Sequence, residues 1–220
     1  MGIDDHSRKG SAASAPLLAA FDFDGTLTVH DSFRAFLAWR FGTLRLIPGL
    51  LRLTPALLRY ARNQDRGRLK ASLVSEFLAG RTIVELEAEA ERFAAAAAPR
   101  LLRPDAVAAW RDWGERGACR VIVTASPEVL VAPFARRLGA DALLGTRLAV
   151  DGQGRITGRL DGPNCRGAEK VVRLQAAFGE DVRLAAAYGD TAGDREMLAI
   201  AEVRGYRVFK ASPDGIGGIA

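Results

Sequence analysis

Two aspartates separated by a single phenylalanine, Asp22 and Asp24 in the stretch FDFDGTLT, close a short apolar run, PLLAA. On an extended chain residues i and i+2 share a side, so the two carboxylates start out as neighbours, which is costly unless a cation shares the site. Asp-Gly alone is also ordinary turn chemistry, so the meaning of the pair depends on what else the chain brings to it. Further polar groups stand in comparable settings: Thr124 and Ser126 in VIVTAS, Lys170 in GAEK, and Asp190 with Asp194 in YGDTAGD. Carboxylates, a lysine and hydroxyls are the residue types that chemistry on a phosphate ester calls for.

The elements that must position them can be read from periodicity and turn signals. Residues 17 to 23 read as a buried strand, and residues 31 to 80 as helices broken near Pro48-Gly49 and Pro55. Thr82 with Glu85 three residues later is a helix-start signal, and that helix runs through ELEAEAERFAAAAA to Pro99. DAVAAWRDWGERG is helix-like and ends at Gly117; CRVIVTAS reads as a second buried strand. Residues 127 to 138 form a helix closed by Gly139, and RLAVDGQGRITGRL a hairpin turning near Asp151-Gly152. GAEKVVRLQAAFG is a helix, VRLAAAYGD a third buried strand, DREMLAIAE a helix and YRVFK a last strand. Strands alternating with helices predict an α/β fold, a parallel sheet covered on both faces that binds ligands beyond the carboxyl ends of its strands. On that frame Asp22 and Asp24 end the first strand, Thr124 and Ser126 the second, and Gly189-Asp190 the third. Lys170 starts the helix before the third strand. Singly, each has a plain structural explanation as a cap, a solvated charge or a turn residue. Together on one sheet edge, a site accounts for them better.

Composition narrows the class. At 220 residues and 49% hydrophobic content the chain can bury a substantial core. Its two cysteines, Cys119 and Cys165, lack ligand-like spacing, which argues against a disulfide framework or a zinc site and fits a reducing compartment. Residues 1–15, polar and small, read as a disordered leader without the apolar core of a signal peptide. No apolar run is long enough to span a bilayer. The formal charge of +5 is uneven: Arg34 to Lys70 carry nine Lys/Arg against one acid, Asp65, so this segment holds +8 and the rest of the chain about −3.

The motifs DFDGTLT, VIVTAS, GAEK and YGDTAGD together resemble those of the haloacid dehalogenase superfamily, in particular its branch of phosphoserine phosphatase-like enzymes. The resemblance implies a Rossmann-like parallel sheet core over residues 16–30 and 104–220, with a helical cap, residues 31–103, inserted after the first strand. It also implies a Mg²⁺-dependent phosphomonoester hydrolase working through an aspartyl-phosphate. In that chemistry Asp22 attacks phosphorus, and Asp24 protonates the leaving alcohol and then deprotonates the hydrolytic water. Asp22, the backbone carbonyl of Asp24 and Asp190 would hold Mg²⁺, supported by Asp194, while Thr124 and Lys170 bind phosphoryl oxygens.

Substrate choice would reside in the cap. By the same resemblance, the glutamate that takes the amino group in phosphoserine phosphatases is Asp31 here, their carboxylate-binding arginine falls at Lys70, and a phosphate-site asparagine is Gly193. Lysine cannot reproduce the bidentate fork of arginine. The cap stretch SFRAFLAWRFGTLRLIPGLLRLTPALLRYARNQ interleaves apolar residues with arginine. It is similar to phosphatidylglycerophosphatase C-like members of the branch, and its pattern suits peripheral contact with an anionic membrane, or a lipid or other amphiphilic phosphate substrate. A small phosphate ester such as phosphoserine is the alternative. A second class stays open, a membrane-surface or nucleic-acid binding module with an idle core, although nucleic acid is not an expected partner. The expected location is the cytoplasm, extending to the inner face of the membrane.

Overall fold

The computed structural model describes residues 17–63 and 66–213; the leader lies outside the described residues. Six strands form one sheet: β1 (Leu18–Phe21), β2 (Cys119–Pro127), β3 (Ala142–Val150), β4 (Ile156–Asp161), β5 (Leu184–Gly189) and β6 (Ala201–Tyr206), in the order β4-β3-β2-β1-β5-β6. All neighbours are parallel except β3 and β4, which pair antiparallel at one edge. β1, fully buried along its length, lies between β2 and β5, with Phe21 opposite both Ile122 and Tyr188. That register brings the carboxyl ends of the three central strands level.

Period-two alternation divides the strand side chains between two cores. Ala19, Phe21, Ile122 and Ala186 face one, and Leu18, Ala20, Val121, Val123 and Ala187 face the other. Helix α6 (Pro104–Glu115) and α7 (Glu128–Leu138) cover the first side, and α8 (Ala168–Phe178) and α9 (Arg195–Ala199) the second. Trp110 of α6 meets Phe21 edge to face at 5.1 Å, and α7 ends at left-handed Gly139.

Between β1 and α6 lie α1 (Ser32–Phe41), α2 (Thr43–Arg52), α3 (Thr54–Asn63), α4 (Arg66–Leu78) and α5 (Ile83–Leu101). This segment leaves and rejoins the core at one point, where Val29 N–H donates to Leu101 O (2.8 Å) and Arg103 N–H to Leu27 O (2.9 Å). Part of it is firmly anchored. Phe93 of α5 packs between Phe36 of α1 and Phe134 of α7 at 5.5 and 5.7 Å, and Glu89 takes hydrogen bonds from both Arg40 and Arg81. The α4–α5 turn is laced to the β3–β4 hairpin through Gly80 N–H to Ile156 O, Ile156 N–H to Arg81 O and Ile83 N–H to Gly154 O. α3, by contrast, has no buried residue.

Four element boundaries differ from the sequence expectation. α2 runs through Pro48, which removes one ladder bond without ending the helix; the break comes at Leu53, whose N–H still reaches the Gly49 and Leu50 carbonyls. Pro55 sits in the first turn of α3, where a missing N–H costs nothing. α5 starts with the expected Thr82–Glu85 capping box but continues past Pro99 to Leu101. The last strand is Ala201–Tyr206 rather than YRVFK, and α9 is cut to five residues, because Ala201 is already paired with Leu184. Arg207, at φ 55, ends the strand, and the apolar Phe209 packs instead at a tilt against Tyr188, with ring centroids 5.1 Å apart.

Phe93 ties α1 and α5 to α7 of the core, so Phe93→Ala should lower the unfolding free energy by about 3–5 kcal/mol, the range for an aromatic deleted from a packed interior. Denaturant unfolding followed by circular dichroism measures it.

Candidate active site

Asp22 directly follows β1 and extends its ladder, its N–H donating to Tyr188 O at 2.9 Å. Its carboxylate is buried against Lys170, whose Nζ lies 2.6 Å from Asp22 Oδ1, 2.7 Å from Asp194 Oδ1 and 2.6 Å from Val123 O. Those three bonds engage all the donors of the ammonium. Burial pushes the Asp22 carboxyl up to about 7 against the pull of Lys170. Burial would also favour a neutral lysine, yet the Asp22 and Asp194 carboxylates hold Lys170 above its ordinary range. Asp194 accepts as well from Asp190 N–H, Thr191 N–H and the Thr191 hydroxyl, at 2.9 to 3.2 Å. Despite burial, Lys170 and these donors keep it below the usual carboxylate range. It is the knot of the 190–194 turn.

Asp24 is turned differently. Its Oδ1 accepts from Ser32 N–H at 2.7 Å and its Oδ2 from the Ser126 hydroxyl, so it is braced by the start of α1 and the end of β2. Burial, then the charge of Asp31, raises its pKa in spite of those bonds. Gly25 makes the turn that follows Asp24 possible in two ways. Its φ of 79° is a conformation that side chains disfavour, and a Cβ there would lie 2.8 Å from Asp190 Cγ. Gly189 has no such backbone need; a Cβ there would fall 2.7 Å from Asp194 Cγ, so it is glycine for space.

Asp190 supplies the test of a metal. Its Oδ1 is buried and without a hydrogen-bond partner, the raised pKa of its carboxyl follows from burial and the charge of Asp194, and one oxygen each of Asp22, Asp190 and Asp194 lie within 4.8 Å of one another. Three carboxylates share one buried ammonium, so with all three ionised the cluster would carry excess negative charge, which is why burial and mutual repulsion raise Asp22 and Asp190. A hard divalent cation with oxygen ligands fits that donor set and that charge.

These groups line a cavity of 510 Å³ between the sheet edge and α1, α3 and α4. Of the residues singled out in the sequence, Asp22, Asp24, Asp31, Lys70, Lys170, Asp190 and Asp194 reach it. Asp31 caps α1, accepting from Arg34 N–H at 2.8 Å, and Lys70 donates to Ala125 O, with its pKa lowered by burial although Asp24 and Asp31 oppose this. Thr124 is fully buried beside the cavity, its hydroxyl accepting from Ser126 N–H at 3.0 Å across a bulge in β2. Sequence reasoning noted Ser126 only as a strand end, and passed over Tyr60, Asn164 and Arg166, which also line the cavity. The hydroxyl two residues after Thr124 was the available signal for Ser126; nothing local marks the other three.

Comparison with known proteins identifies the family and the fold. Residues 19–199 match the family model of haloacid dehalogenase-like hydrolases. The chain is 61% identical over 204 residues to Protein CicA of Caulobacter vibrioides, covering 93% of this chain and 91% of that one. Among solved structures, a protein of unknown function from Bordetella pertussis Tohama I superposes with a TM-score of 0.72 at 27% identity, covering 84% of this chain and 87% of that one. A substrate-bound phosphoserine phosphatase shares the fold, with a TM-score of 0.55 at 22% identity and 84% and 83% coverage.

The charge balance predicts a pH-dependent response to metal. With its folded pKa raised from 3.8 to about 7, Asp22 favours folding fully below its ordinary value and loses that contribution as pH rises through 7. A divalent cation bound there would replace the lost proton, so Mg²⁺ should raise the melting temperature clearly at pH 8 and little at pH 5.5. Equal shifts at both values would contradict the assignment.

Proposed function

The chain belongs to the haloacid dehalogenase-like hydrolases, and from that premise we propose that it is a Mg²⁺-dependent phosphomonoester hydrolase that forms an aspartyl-phosphate on Asp22. The observation that carries this reading is the buried Asp22, held by Lys170, beside the unpartnered Asp190 Oδ1 at the floor of the cavity. Asp22, Asp190 and the Asp24 backbone carbonyl would hold the Mg²⁺, which when bound neutralises the carboxylates and the charge of the phosphoryl oxygens.

Lys170 keeps Asp22 in one rotamer and offsets its charge, so the carboxylate is presented in line to phosphorus rather than free to rotate. Asp22 forms the new P–O bond as the ester P–O bond breaks. Asp24, braced by Ser126 and Ser32 and shifted toward the protonated form, gives its proton to the departing alkoxide. The resulting carboxylate then takes a proton from water as that water attacks phosphorus, releasing phosphate and regenerating Asp22. Backbone N–H groups after Asp22, with Thr124, would serve the phosphoryl oxygens.

We read the substrate as an amphiphilic phosphate met at an anionic membrane surface, in the cytoplasm, where the free Cys119 and Cys165 thiols suit a reducing setting. The supporting observation is α2 and α3. Ile47, Leu50 and Leu51 share one helical face, and Leu51 and Leu58 are each 67% exposed, with Arg52, Arg59 and Arg62 exposed among them. Tyr60 of the same α3 lines the cavity, so the apolar face adjoins the route to Asp22. No described helix is long and apolar enough to cross a membrane, and the contact proposed is a surface one. A small soluble ester such as phosphoserine is the competing substrate, with Asp31 and Lys70 as its polar contacts.

Two outcomes test this. Asp22→Asn should abolish Mg²⁺-dependent release of phosphate from an aryl phosphate, while Asp24→Asn should slow it by about 10²–10⁴-fold, the usual worth of a positioned acid. Substantial turnover by Asp22→Asn would refute the mechanism. Separately, the protein should co-sediment with anionic but not neutral vesicles, and less so in high salt, since each basic residue at such a surface contributes about 1 kcal/mol. Leu51→Gln with Leu58→Gln should weaken that binding and leave aryl phosphate hydrolysis intact; indifference to vesicle charge would favour the soluble ester.

A further inference from the structure

Arg166 lies in the connection between β4 and α8, one residue before the glycine that opens the helix carrying Lys170. Its side chain crosses the face of Gly193 and places Nη1 3.2 Å from the Thr191 hydroxyl. The two segments are stitched together beneath it, Gly167 N–H donating to Gly193 O at 2.8 Å. Gly193 is not among the glycines with positive φ, so the backbone does not demand glycine there. Space does. A Cβ on residue 193 would sit 2.7 Å from Arg166 Cγ and overlap the guanidinium itself.

The polar partners of Arg166 are few for a half-buried arginine. No carboxylate among the described residues pairs with it, and its side chain lines the cavity with Asn164, Asp190 and Thr191. The other cation at this end, Lys170, has every donor engaged by Asp22, Asp194 and Val123. Lys70 enters from the opposite wall, bonded to Ala125 O and close to Asp24 and Asp31. An incoming phosphate brings up to two negative charges to a site whose fixed lysine is already committed. Arg34 lines the cavity from α1, and Arg207 is hydrogen-bonded to the Asp190 carbonyl without lining it; Arg166 is the cation that lines the cavity beside Asp190 and Thr191, and its planar donor fork, with one nitrogen on the Thr191 hydroxyl, matches phosphate oxygens.

We propose that Arg166, seated in the space that Gly193 leaves open, binds the oxygens of the phosphoryl group during transfer and of the phosphate that is released. This deepens the phosphatase reading and rests on it. Gly193 then acts as a positioning residue, since any side chain at 193 must push the guanidinium out of place.

The test uses the full chain with Mg²⁺ and inorganic phosphate as the probe. Arg166→Ala should raise the inhibition constant of phosphate, and the KM for an aryl phosphate with it, by about 10- to 100-fold, the worth of a charge-assisted pair. It should also abolish the rise in melting temperature that phosphate produces in the wild-type protein. Arg166→Lys should recover part of the affinity. Gly193→Ala should reproduce the loss, and the double variant should be no worse than Arg166→Ala alone, because both remove one contact. Should Gly193→Ala fold poorly, the Arg166 variants decide alone. Unchanged phosphate affinity in Arg166→Ala, with wild-type protein hydrolysing ester and binding phosphate, overturns this assignment and leaves the phosphatase reading standing. A wild-type protein that does neither overturns both.

Discussion

Placing Asp22, Asp190 and Asp194 within a few ångströms in a buried site sets like charges against each other where water screens them poorly. Lys170 is what makes the arrangement foldable. It is 1% exposed, and its three hydrogen bonds join the end of β1, the end of β2 and the 190–194 turn. Deleting one partner of a buried pair costs about 3–5 kcal/mol, chiefly by stranding the other charge. The sheet edge is therefore held together by the group that also fixes the Asp22 carboxylate, the proposed nucleophile. One ammonium cannot balance three ionised carboxylates, and that charge is the physical argument behind the proposed divalent cation.

The remaining features serve that cluster. Alanines at 19, 20, 186 and 187 keep the centre of the sheet thin, and parallel pairing of β1 with β2 and β5 levels the three strand ends. The close approaches that follow leave no room for side chains at Gly189 and Gly193, while Gly25 is required by both space and φ. These glycines differ in their reasons. Only Gly25 among the three lies in the left-handed region; the other two are glycine because Asp194 and Arg166 occupy the volume a Cβ would need.

Much of this was legible in the sequence because it depends on where strands end. Apolar runs broken by Asp22, by Thr124-Ala125-Ser126 and by Gly189-Asp190 place those groups on one edge under any right-handed alternation of strand and helix. What stayed hidden depends on long-range partners. The Ser126 hydroxyl finds Asp24 across 102 residues, and no local pattern announces it. Lys170 reads from the sequence as a phosphate ligand or a solvated charge, whereas in the structure its three donors go to Asp22, Asp194 and Val123. Helix limits failed where tertiary pairing overrode local signals: Pro48 sits inside α2, and Ala201 joins β6 where an alanine-rich sequence suggested continued helix.

The inserted helices divide into two mechanical parts, and the cavity lies where they meet. α1, α4 and α5 are tied to the core by the Phe93 cluster, the Glu89 ion pairs and the hairpin bonds, so Ser32 and Lys70 face Asp24 and Ala125 from fixed positions. α3 buries no residue of its own and presents leucines to solvent, yet contributes Tyr60 to the same cavity wall. Local opening free energy scales with buried contact, so α3 is the part of the insertion that opens most readily while Asp22 and Asp24 stay in register. On the proposed function, chemistry and substrate selection would then fall to parts of different stability within one insertion. The anchored part keeps Asp24 within reach of Ser126, and α3 is the part that can yield without disturbing Lys170 beneath it.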